Sequence, residues 1–353
     1  MKFCTLTNKE FSKFESRSPY GNIMQTVERS MLREKMGYGC HLVGVKEKDT
    51  VIAAALIVVK GKDAWIQIGP ILDWDNIRLV KFFIENATNY CREQKYNEIE
   101  IFPPVLYTTR DTHGEKIKEF KCEKIFDAFS SAGYKHLGFT EKTEYKALRW
   151  MFVKDLTGCK DLRDIELTFD STRRKRFHRA QRTLEVYKLQ DKSELETWIM
   201  GLKDSDKRNG LNTRQLQYFR DMWDCYGDKV MFLEAKRIET GEIVACEVDI
   251  WHENELVTFL SGIPAEFRKE NGMTAIKGWQ MEECLKRKIY RVNMYGIEGN
   301  FTSSNSLLTT KKDFGGYVEE YIGGFKLVLN KRAYMTDKVC RKVGSLKKKV
   351  FGK

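Results

Sequence analysis

The second half of the chain contains three consecutive segments with strand character: VMFLEAKR (Val230–Arg237), IVACEVDIW (Ile243–Trp251) and LVTFLSG (Leu256–Gly262). Short turns separate these segments, as in an antiparallel sheet. A helical pattern precedes them at Thr213–Tyr226, and another follows at Met273–Arg287 before a last strand at Tyr290–Tyr295. The order is therefore helix, three strands, helix, strand.

The first half has the same order, about 190 residues earlier. Its segments are 26–36 (helix), His41–Lys46, Val51–Lys60 and Trp65–Ile71 (strands), Asn76–Gln94 (helix) and Glu98–Phe102 (strand). This repeat predicts an α/β (α+β) fold of two tandem units, each a mixed sheet flanked by helices. We assign 1–148 to the first unit and 149–320 to the second, and expect 321–353 to pack back on the first. Residues 105–120 are polar and irregular, which indicates a loop.

The composition indicates a folded protein with a polyanionic partner. The chain has 353 residues, 42% of them hydrophobic, and a net charge of +12. A surplus of this size suits tRNA, a nucleotide diphosphate or an anionic membrane face. Nine dispersed cysteines indicate free thiols in a reducing compartment. With no apolar signal segment and no apolar run near bilayer length, we expect a cytoplasmic protein that can dock on the inner membrane face.

Several kinds of catalytic site have no signature in the sequence. The five histidines do not pair at metal-ligand spacing, so we expect no metal. The chain has no Gly-x-Ser-x-Gly motif, P-loop or dinucleotide-binding fingerprint. We therefore expect chemistry that does not pass through a covalent intermediate on the protein.

A loop rich in glycine and aromatic residues follows the last strand of the second half. It reads YGIEGNF at Tyr295–Phe301, then KKDFGGY at Lys311–Tyr317 and EYIG at Glu320–Gly323. This series resembles the C-terminal signature of the FemABX family of non-ribosomal peptidyltransferases, and SPYG at Ser18–Gly21 resembles its opening. With no long insertion between Lys229 and Gly262, the chain resembles a compact form of the family that lacks a helical arm.

The resemblance implies a fold and an activity. Family members are built from two units like the GCN5-related N-acetyltransferases, whose element order the repeat also resembles. They move an amino acid from aminoacyl-tRNA to the stem-peptide amine of a peptidoglycan precursor, in cross-bridge synthesis. The implied donor is glycyl-, alanyl- or seryl-tRNA. The implied acceptor is lipid II or UDP-MurNAc-pentapeptide, and aminoacyl-tRNA is a co-substrate, so no cofactor is expected.

The resemblance also implies site residues. Lys311 falls on the lysine of the family's transfer centre, where we expect an ordinary pKa near 10.4 and a positive charge that stabilises the developing oxyanion. On an extended segment, Lys312 would point to the opposite side. The substrate-binding candidates are Arg33 for a phosphate, Arg214 and Tyr218 for the acceptor, and Tyr295 and Glu298 in the loop.

Two basic segments remain open to more than one interpretation. The first is a helical run that Ser171 or Thr172 can cap, and it is either a solvated face or a tRNA contact. Its candidates for tRNA contact are Arg173, Arg174, Lys175, Arg176, Arg179 and Arg182. The second is the tail from Lys326, where Val339, Val343, Leu346 and Val350 recur at helical spacing. That stripe either packs on the protein or lies on an anionic bilayer.

Two departures from the family pattern leave the proton acceptor undefined. Relatives have an aspartate before a proline where this chain has Phe102-Pro103, and they have a pocket tyrosine where this chain has Leu260. Two rival functions remain: an acetyl-CoA-dependent N-acetyltransferase, and a non-catalytic RNA-binding module. An N-acetyltransferase would need a loop that binds the pyrophosphate of acetyl-CoA. The candidate for that loop is Lys269–Gly272, which matches the pattern poorly. The sequence does not indicate an oligomeric state.

Overall fold

The computed structural model describes residues 1–142, 149–208, 214–302 and 306–336. These residues divide into two compact units. The first contains 1–105, 121–139 and the described residues from 322 onward. The second contains 106–120 and the described residues of 140–321.

The first unit is built around a mixed sheet. Its helices are α1 (Asn8–Glu15), α2 (Val27–Lys35), α3 (Ile77–Glu93) and α4 (Glu123–Ser131). Its strands are β1 (Lys2–Thr5), β2 (Gly39–Glu47), β3 (Thr50–Lys60), β4 (Asp63–Ile66), β5 (Ile71–Leu72), β6 (Glu98–Ile101), β9 (Lys135–His136) and β17 (Phe325–Val328). Among the described residues, the strand order is β1-β2-β3-β4-β6-β17-β9, with β5 beside β3.

The second unit is built around a longer mixed sheet. Its helices are α5 (Leu162–Leu167), α6 (Ser171–Thr183), α7 (Leu195–Arg208), α8 (Leu216–Tyr226), α9 (Gly272–Lys286) and α10 (Ser306–Lys312). Its strands are β7 (Leu106–Arg110), β8 (Lys116–Glu119), β10 (Trp150–Asp155), β11 (Leu184–Lys188), β12 (Val230–Arg237), β13 (Ile243–His252), β14 (Glu255–Gly262), β15 (Arg291–Gly296) and β16 (Tyr317–Tyr321). Among the described residues, the strand order is β11-β12-β13-β14-β15-β10-β16-β7-β8.

The predicted repeat of elements is confirmed. In the first unit, antiparallel β2, β3 and β4 are followed by α3, and β6 then pairs parallel to β4. In the second unit, antiparallel β12, β13 and β14 are followed by α9, and β15 then pairs parallel to β14. A parallel pair requires a crossover connection, which explains why a long helix stands before the last strand in each unit.

Helix caps and apolar faces position the elements that matter for the site. The side chain of Asp170 accepts from the backbone N–H groups of Thr172 and Arg173, so Asp170 begins α6 in place of the expected Ser171 or Thr172. Phe177 and Ala180 of α6 are buried. A Cβ on Gly278 of α9 would lie only 2.0 Å from the Phe177 ring, so only glycine allows this close packing.

The structure corrects the prediction of a loop over residues 105–120. Within this segment β7 pairs with β16, and β8 pairs with β7. The predicted division at 148/149 is wrong here, because these strand hydrogen bonds place residues 106–120 in the second unit. Neither strand has a strong alternation of apolar and polar residues: β7 reads LYTTR and the edge strand β8 reads KIKE. The sequence pattern therefore did not indicate them.

The expected strand Trp65–Ile71 is interrupted. It ends at Ile66 and resumes at Ile71, with Ile68 at a φ of 50° between the two parts. The Gln25 side chain donates to the Gln67 carbonyl oxygen (2.8 Å) and accepts from the Leu56 N–H (2.8 Å), so it occupies the gap in the ladder. None of the helices over the described ranges is long and apolar enough to cross a bilayer. The predicted tail stripe from Val339 to Val350 lies outside those ranges.

Candidate transfer site

Lys311 lies on α10 and reaches the end of β15. Its Nζ donates to the Gly296 carbonyl oxygen at 2.9 Å, and the Tyr295 carbonyl oxygen accepts at 3.4 Å. The expectation of an extended segment is wrong, because Ser306–Lys312 is helical. Consecutive helical residues point about 100° apart, so Lys312 still points in another direction than Lys311.

The environment of Lys311 changes its protonation. Burial lowers the pKa of Lys311 to about 7, and the nearby Lys277 ammonium also lowers it, while Glu247 opposes the shift. The expectation of an ordinary lysine pKa is therefore wrong. Near neutral pH a large fraction of Lys311 is the free amine, which can accept a proton.

A buried polar cluster in α9, β13 and β14 lies near Lys311. Lys277 Nζ donates to Glu247 (2.8 Å) and to Thr258 Oγ1 (2.6 Å), and Gln280 Nε2 donates to both Glu247 and Asp249. Burial, and then the neighbouring Glu247 carboxylate, raise the pKa of Asp249 well above its ordinary value. The sequence analysis missed this cluster, although two acids two positions apart in the otherwise apolar strand IVACEVDIW were a visible signal.

Arg214 and Tyr218, predicted to bind the acceptor, lie together: Arg214 is two residues before α8, and Tyr218 is in its first turn. Arg214 Cζ is 5.0 Å from the centroid of the Tyr218 ring and 5.9 Å from that of Phe259. Arg214 has no carboxylate partner among the residues that the structure describes. Its guanidinium lies against two aromatic rings, an arrangement in which its N–H groups could donate to an anion.

Phe259 connects these residues to the end of β15. Its ring centroid is 5.8 Å from that of Tyr295, whose carbonyl oxygen accepts from Lys311. The residues singled out at Arg214, Tyr218, Tyr295 and Lys311 thus form one series of contacts in the second unit. The sequence analysis missed Phe259.

A β-bulge explains why Phe259 occupies this position. Val248 of β13 pairs with Leu260, but the next residue, Asp249, pairs with Thr258. Phe259 is therefore the extra residue of the bulge, and such a residue can be aimed away from the regular ladder. The aromatic ring beside Arg214 therefore belongs to Phe259. The sequence analysis considered only the neighbouring residue, Leu260, for the pocket position.

The loop after Tyr295 is held by tight packing on Trp150. A Cβ on Gly299 would lie 2.3 Å from Trp150 Cε2, so glycine is required here. The Gly299 N–H donates to the Glu141 carbonyl oxygen (2.7 Å), and Phe301 packs edge-on against Trp150 with centroids 5.9 Å apart. Glu298 is exposed on this loop, and its role in substrate binding stays a prediction.

Arg33 lies in the first unit and is buried. Only 2% of its surface is exposed, and its Cζ is 5.0 Å from the centroid of the Tyr38 ring. A guanidinium in this position does not face solvent, so contact with a phosphate requires that neighbouring side chains move. Its contact with a phosphate stays a prediction.

The basic run on α6 separates into buried and exposed members. Arg173 is 7% exposed and bonds to Thr274, Thr310 and Asp313, so it is not available to tRNA. Arg174 is half-buried, and its Nη2 donates to the Phe169 carbonyl oxygen at 3.4 Å. The exposed members are Lys175, Arg176, Arg179 and Arg182. Tertiary packing thus removes Arg173 from the predicted tRNA contact and leaves these four.

Comparison with solved structures agrees with the class of fold described above, two tandem units like those of the GCN5-related N-acetyltransferases. A tandem GNAT protein from the clavulanic acid biosynthesis pathway superimposes with a TM-score of 0.56 at 10% identity, over 93% of this chain and 98% of that chain. The crystal structure of FemX superimposes with a TM-score of 0.81 at 16% identity, over 95% of this chain and 99% of that chain. At these identities the likeness concerns the fold.

The sequence comparisons identify the family. The model of the FemAB family matches residues 6–239 and 234–342, so the chain belongs to the FemAB family. Aminoacyltransferase FemB of Staphylococcus epidermidis is 25% identical over 95% of this chain and 96% of that protein. Aminoacyltransferase FemA of Staphylococcus aureus is 24% identical over 97% and 99%. The chain is an aminoacyltransferase.

Proposed function

We propose that this chain transfers an amino acid from aminoacyl-tRNA to the stem-peptide amine of a peptidoglycan precursor, in synthesis of the cross-bridge. One observation carries the proposal. A continuous series of contacts joins Arg214, which has no carboxylate partner among the described residues, through Phe259 and Tyr295 to Lys311, whose pKa is lowered to about 7. An anion-binding group and a proton-transfer group are thus connected within one unit.

The acceptor provides the anion for Arg214. Both lipid II and UDP-MurNAc-pentapeptide carry a diphosphate, and a guanidinium can donate two parallel hydrogen bonds to such a group. The rings of Tyr218 and Phe259 limit the rotation of the guanidinium before the substrate arrives. Glycine, alanine or serine is the proposed donor residue.

Lys311 provides acid–base chemistry. The acceptor amine attacks the ester carbonyl carbon of aminoacyl-tRNA, and a C–N bond forms. Neutral Lys311 takes the proton that the nitrogen loses. The C–O bond to the terminal ribose then breaks, and the Lys311 ammonium returns the proton to the ribose oxygen. A group with a pKa near 7 suits both steps at neutral pH.

The exposed cations of α6 support the role of tRNA. Lys175, Arg179 and Arg182 recur at intervals of four and three residues, so they share one face of the helix. Arg176 is exposed on the same side, one position further round from Lys175. A row of cations on one face suits a phosphate backbone.

The test combines each acceptor with tRNAs charged with glycine, alanine or serine and measures the mass added to the precursor. We expect one aminoacyl residue to be added with at least one combination. Lys311→Met should lower the rate by roughly 100- to 10,000-fold, the range of general acid–base catalysis. Lys312→Met is the control for loss of a neighbouring charge and should keep most of the activity.

Two outcomes would favour the rival functions. Acetyl transfer from acetyl-CoA without tRNA would point to an N-acetyltransferase. Binding of tRNA without transfer in any combination would point to a non-catalytic RNA-binding module. Equal activity of the two lysine variants would place the proton-transfer group elsewhere.

A further inference from the structure

Arg173 differs from its neighbours on α6 because its charge is turned inward. Its Nη1 donates to Thr274 Oγ1 at 2.8 Å, and its Nη2 donates to the Thr310 carbonyl oxygen at 3.1 Å and to Asp313 Oδ2 at 3.2 Å. Its Cζ is 4.4 Å from the centroid of the Phe314 ring. A single guanidinium therefore connects α6, the start of α9 and the end of α10.

The bonds to Thr310 and Asp313 bracket Lys311 in the sequence. Thr310 lies in the last turn of α10, where backbone carbonyl groups have no partner within the helix. A cation there satisfies a carbonyl and also opposes the negative end of the helix dipole. Arg173 therefore acts as a cap for the helix that carries Lys311.

Other contacts hold the same segment. The Asp170 N–H donates to the Asp313 carbonyl oxygen at 2.8 Å. The Phe169 ring packs edge-on against Phe314 with centroids 5.3 Å apart. The beginning of α6 thus binds the chain immediately after Lys311 at several points.

Tertiary contacts must orient a helix as short as α10. It has seven residues, and helices of this length are unstable in isolation. The Lys311 amine must nevertheless stay within reach of the reacting atoms, because a misplacement of about 1 Å can cost about 100-fold in rate.

We propose that Arg173 is a positioning residue that orients Lys311 for transfer by holding the C-terminal turn of α10. This rests on the proposed role of Lys311. It also gives α6 two tasks: its exposed cations bind tRNA, and its buried arginine holds the transfer lysine. The bound tRNA and the lysine that acts on its ester are then positioned by one rigid helix.

The test compares Arg173→Gln and Arg173→Lys with Lys203→Gln, which removes an exposed charge from α7 in the same unit. We measure kcat, KM for aminoacyl-tRNA, and the rate at which an amine-reactive reagent labels Lys311 as a function of pH, read by mass spectrometry. Arg173→Gln should lower kcat by about 100-fold, with KM for tRNA nearly unchanged. In Arg173→Gln, the pH at which Lys311 labelling reaches half its maximum rate should also differ from that of the wild type. Lysine keeps the positive charge but lacks the two terminal guanidinium nitrogens that bond to Thr274, Thr310 and Asp313. The kcat of Arg173→Lys should therefore lie between those of Arg173→Gln and the wild type.

The contrasting variant is Arg176→Gln, which removes an exposed charge from the same helix and should raise KM for tRNA. Should Arg173→Gln fail to fold, Thr274→Val and Asp313→Asn each remove one partner and should lower kcat in smaller steps.

The labelling experiment separates this inference from the proposed function. If the wild type transfers no amino acid but Arg173→Gln still shifts the pH midpoint of Lys311 labelling, the proposed function is overturned, while the contact by which Arg173 holds the Lys311 segment is supported. An active wild type whose Arg173 or partner variants keep kcat and the labelling midpoint would overturn the positioning role.

Discussion

At the residue scale, Lys311 is an ionisable group whose properties come from its surroundings. Its pKa of about 7 lies below the ordinary value near 10.4, and burial is the largest cause. The surrounding protein thus leaves a large fraction of this lysine uncharged at neutral pH. The sequence suggested the residue, but its protonation depends on the atoms packed around it.

The lowered pKa of Lys311 predicts that the rate of transfer depends on pH. Because a lowered pKa means that the proton is lost as the pH rises through about 7, the neutral base becomes available in that range. We expect the single-turnover rate to rise through about pH 7 and then to level off. Lys311→Arg stays protonated and should lose this rise together with most of the rate. A rate that falls as the pH rises through 7 would mean that Lys311 acts as a cation.

Replacing Phe259 by an aliphatic residue is expected to weaken binding of the precursor. Its ring lies beside the Arg214 guanidinium, and a cation–π contact contributes about 0.5–2 kcal/mol. Phe259→Leu should therefore weaken binding of the precursor by roughly 2- to 30-fold. Phe259→Tyr should bind nearly as well as the wild type.

Calorimetric titration with UDP-MurNAc-pentapeptide measures the effect of Phe259. Leu260→Val is the matched control, because it shortens the neighbouring side chain outside the aromatic series. Equal weakening by Phe259→Leu and Phe259→Tyr would contradict the role of the aromatic ring.

At the element scale, α6 shows why a run of like charges cannot be assigned as a whole. Residues three and four apart share a helix face, and Arg173, Phe177 and Ala180 form the buried one. Packing on that face leaves Lys175, Arg176, Arg179 and Arg182 outside. The candidates for tRNA contact are therefore a subset of the basic run.

Replacing exposed cations of α6 is expected to change how tRNA binding depends on salt concentration. The logarithm of a nucleic-acid binding constant falls with the logarithm of salt concentration, by roughly one in slope for each phosphate contact. The double variant Lys175→Glu/Arg179→Glu should lower the slope for tRNA by about two. Filter binding at several salt concentrations measures it, and Lys203→Glu is the control on α7. An unchanged slope in the double variant would leave this face as a solvated surface.

At the scale of the whole molecule, the charge distribution favours anionic partners. Much of the net charge of +12 lies in the C-terminal tail, where residues after Thr336 include Lys338, Arg341, Lys342, Lys347, Lys348, Lys349 and Lys353, with Asp337 as the only acid. Each such cation near an anionic bilayer contributes about 1 kcal/mol. The tail is therefore a candidate membrane contact on the grounds of its sequence.

We expect the full chain, but not a chain that ends at Thr336, to sediment with vesicles that contain phosphatidylglycerol. The truncation keeps every residue that the structure describes. Neutral phosphatidylcholine vesicles are the control, and high salt should release the full chain because screening weakens the attraction. Equal sedimentation of both chains with the anionic vesicles would contradict the prediction.

Local patterns predicted much of the architecture. The alternating and continuous apolar runs of β2–β4 and β12–β14 and the helical periods of α3 and α9 were visible in the sequence. The strands in residues 106–120 were not, because their pairing with β16 joins segments about 200 residues apart. The interruption after Ile66 likewise depends on Gln25, which is distant in the chain.

The sequence by itself determined the two tandem units, the family, and the candidates Lys311, Arg214 and Tyr218, because periodicity and motifs are properties of local order. Only the tertiary structure decided that Arg173 faces inward, that Arg33 is buried, that Phe259 takes the place beside Arg214, and that the pKa of Lys311 is lowered. Each of these depends on burial or strand register, and both arise from contacts between distant segments, which a local pattern does not encode.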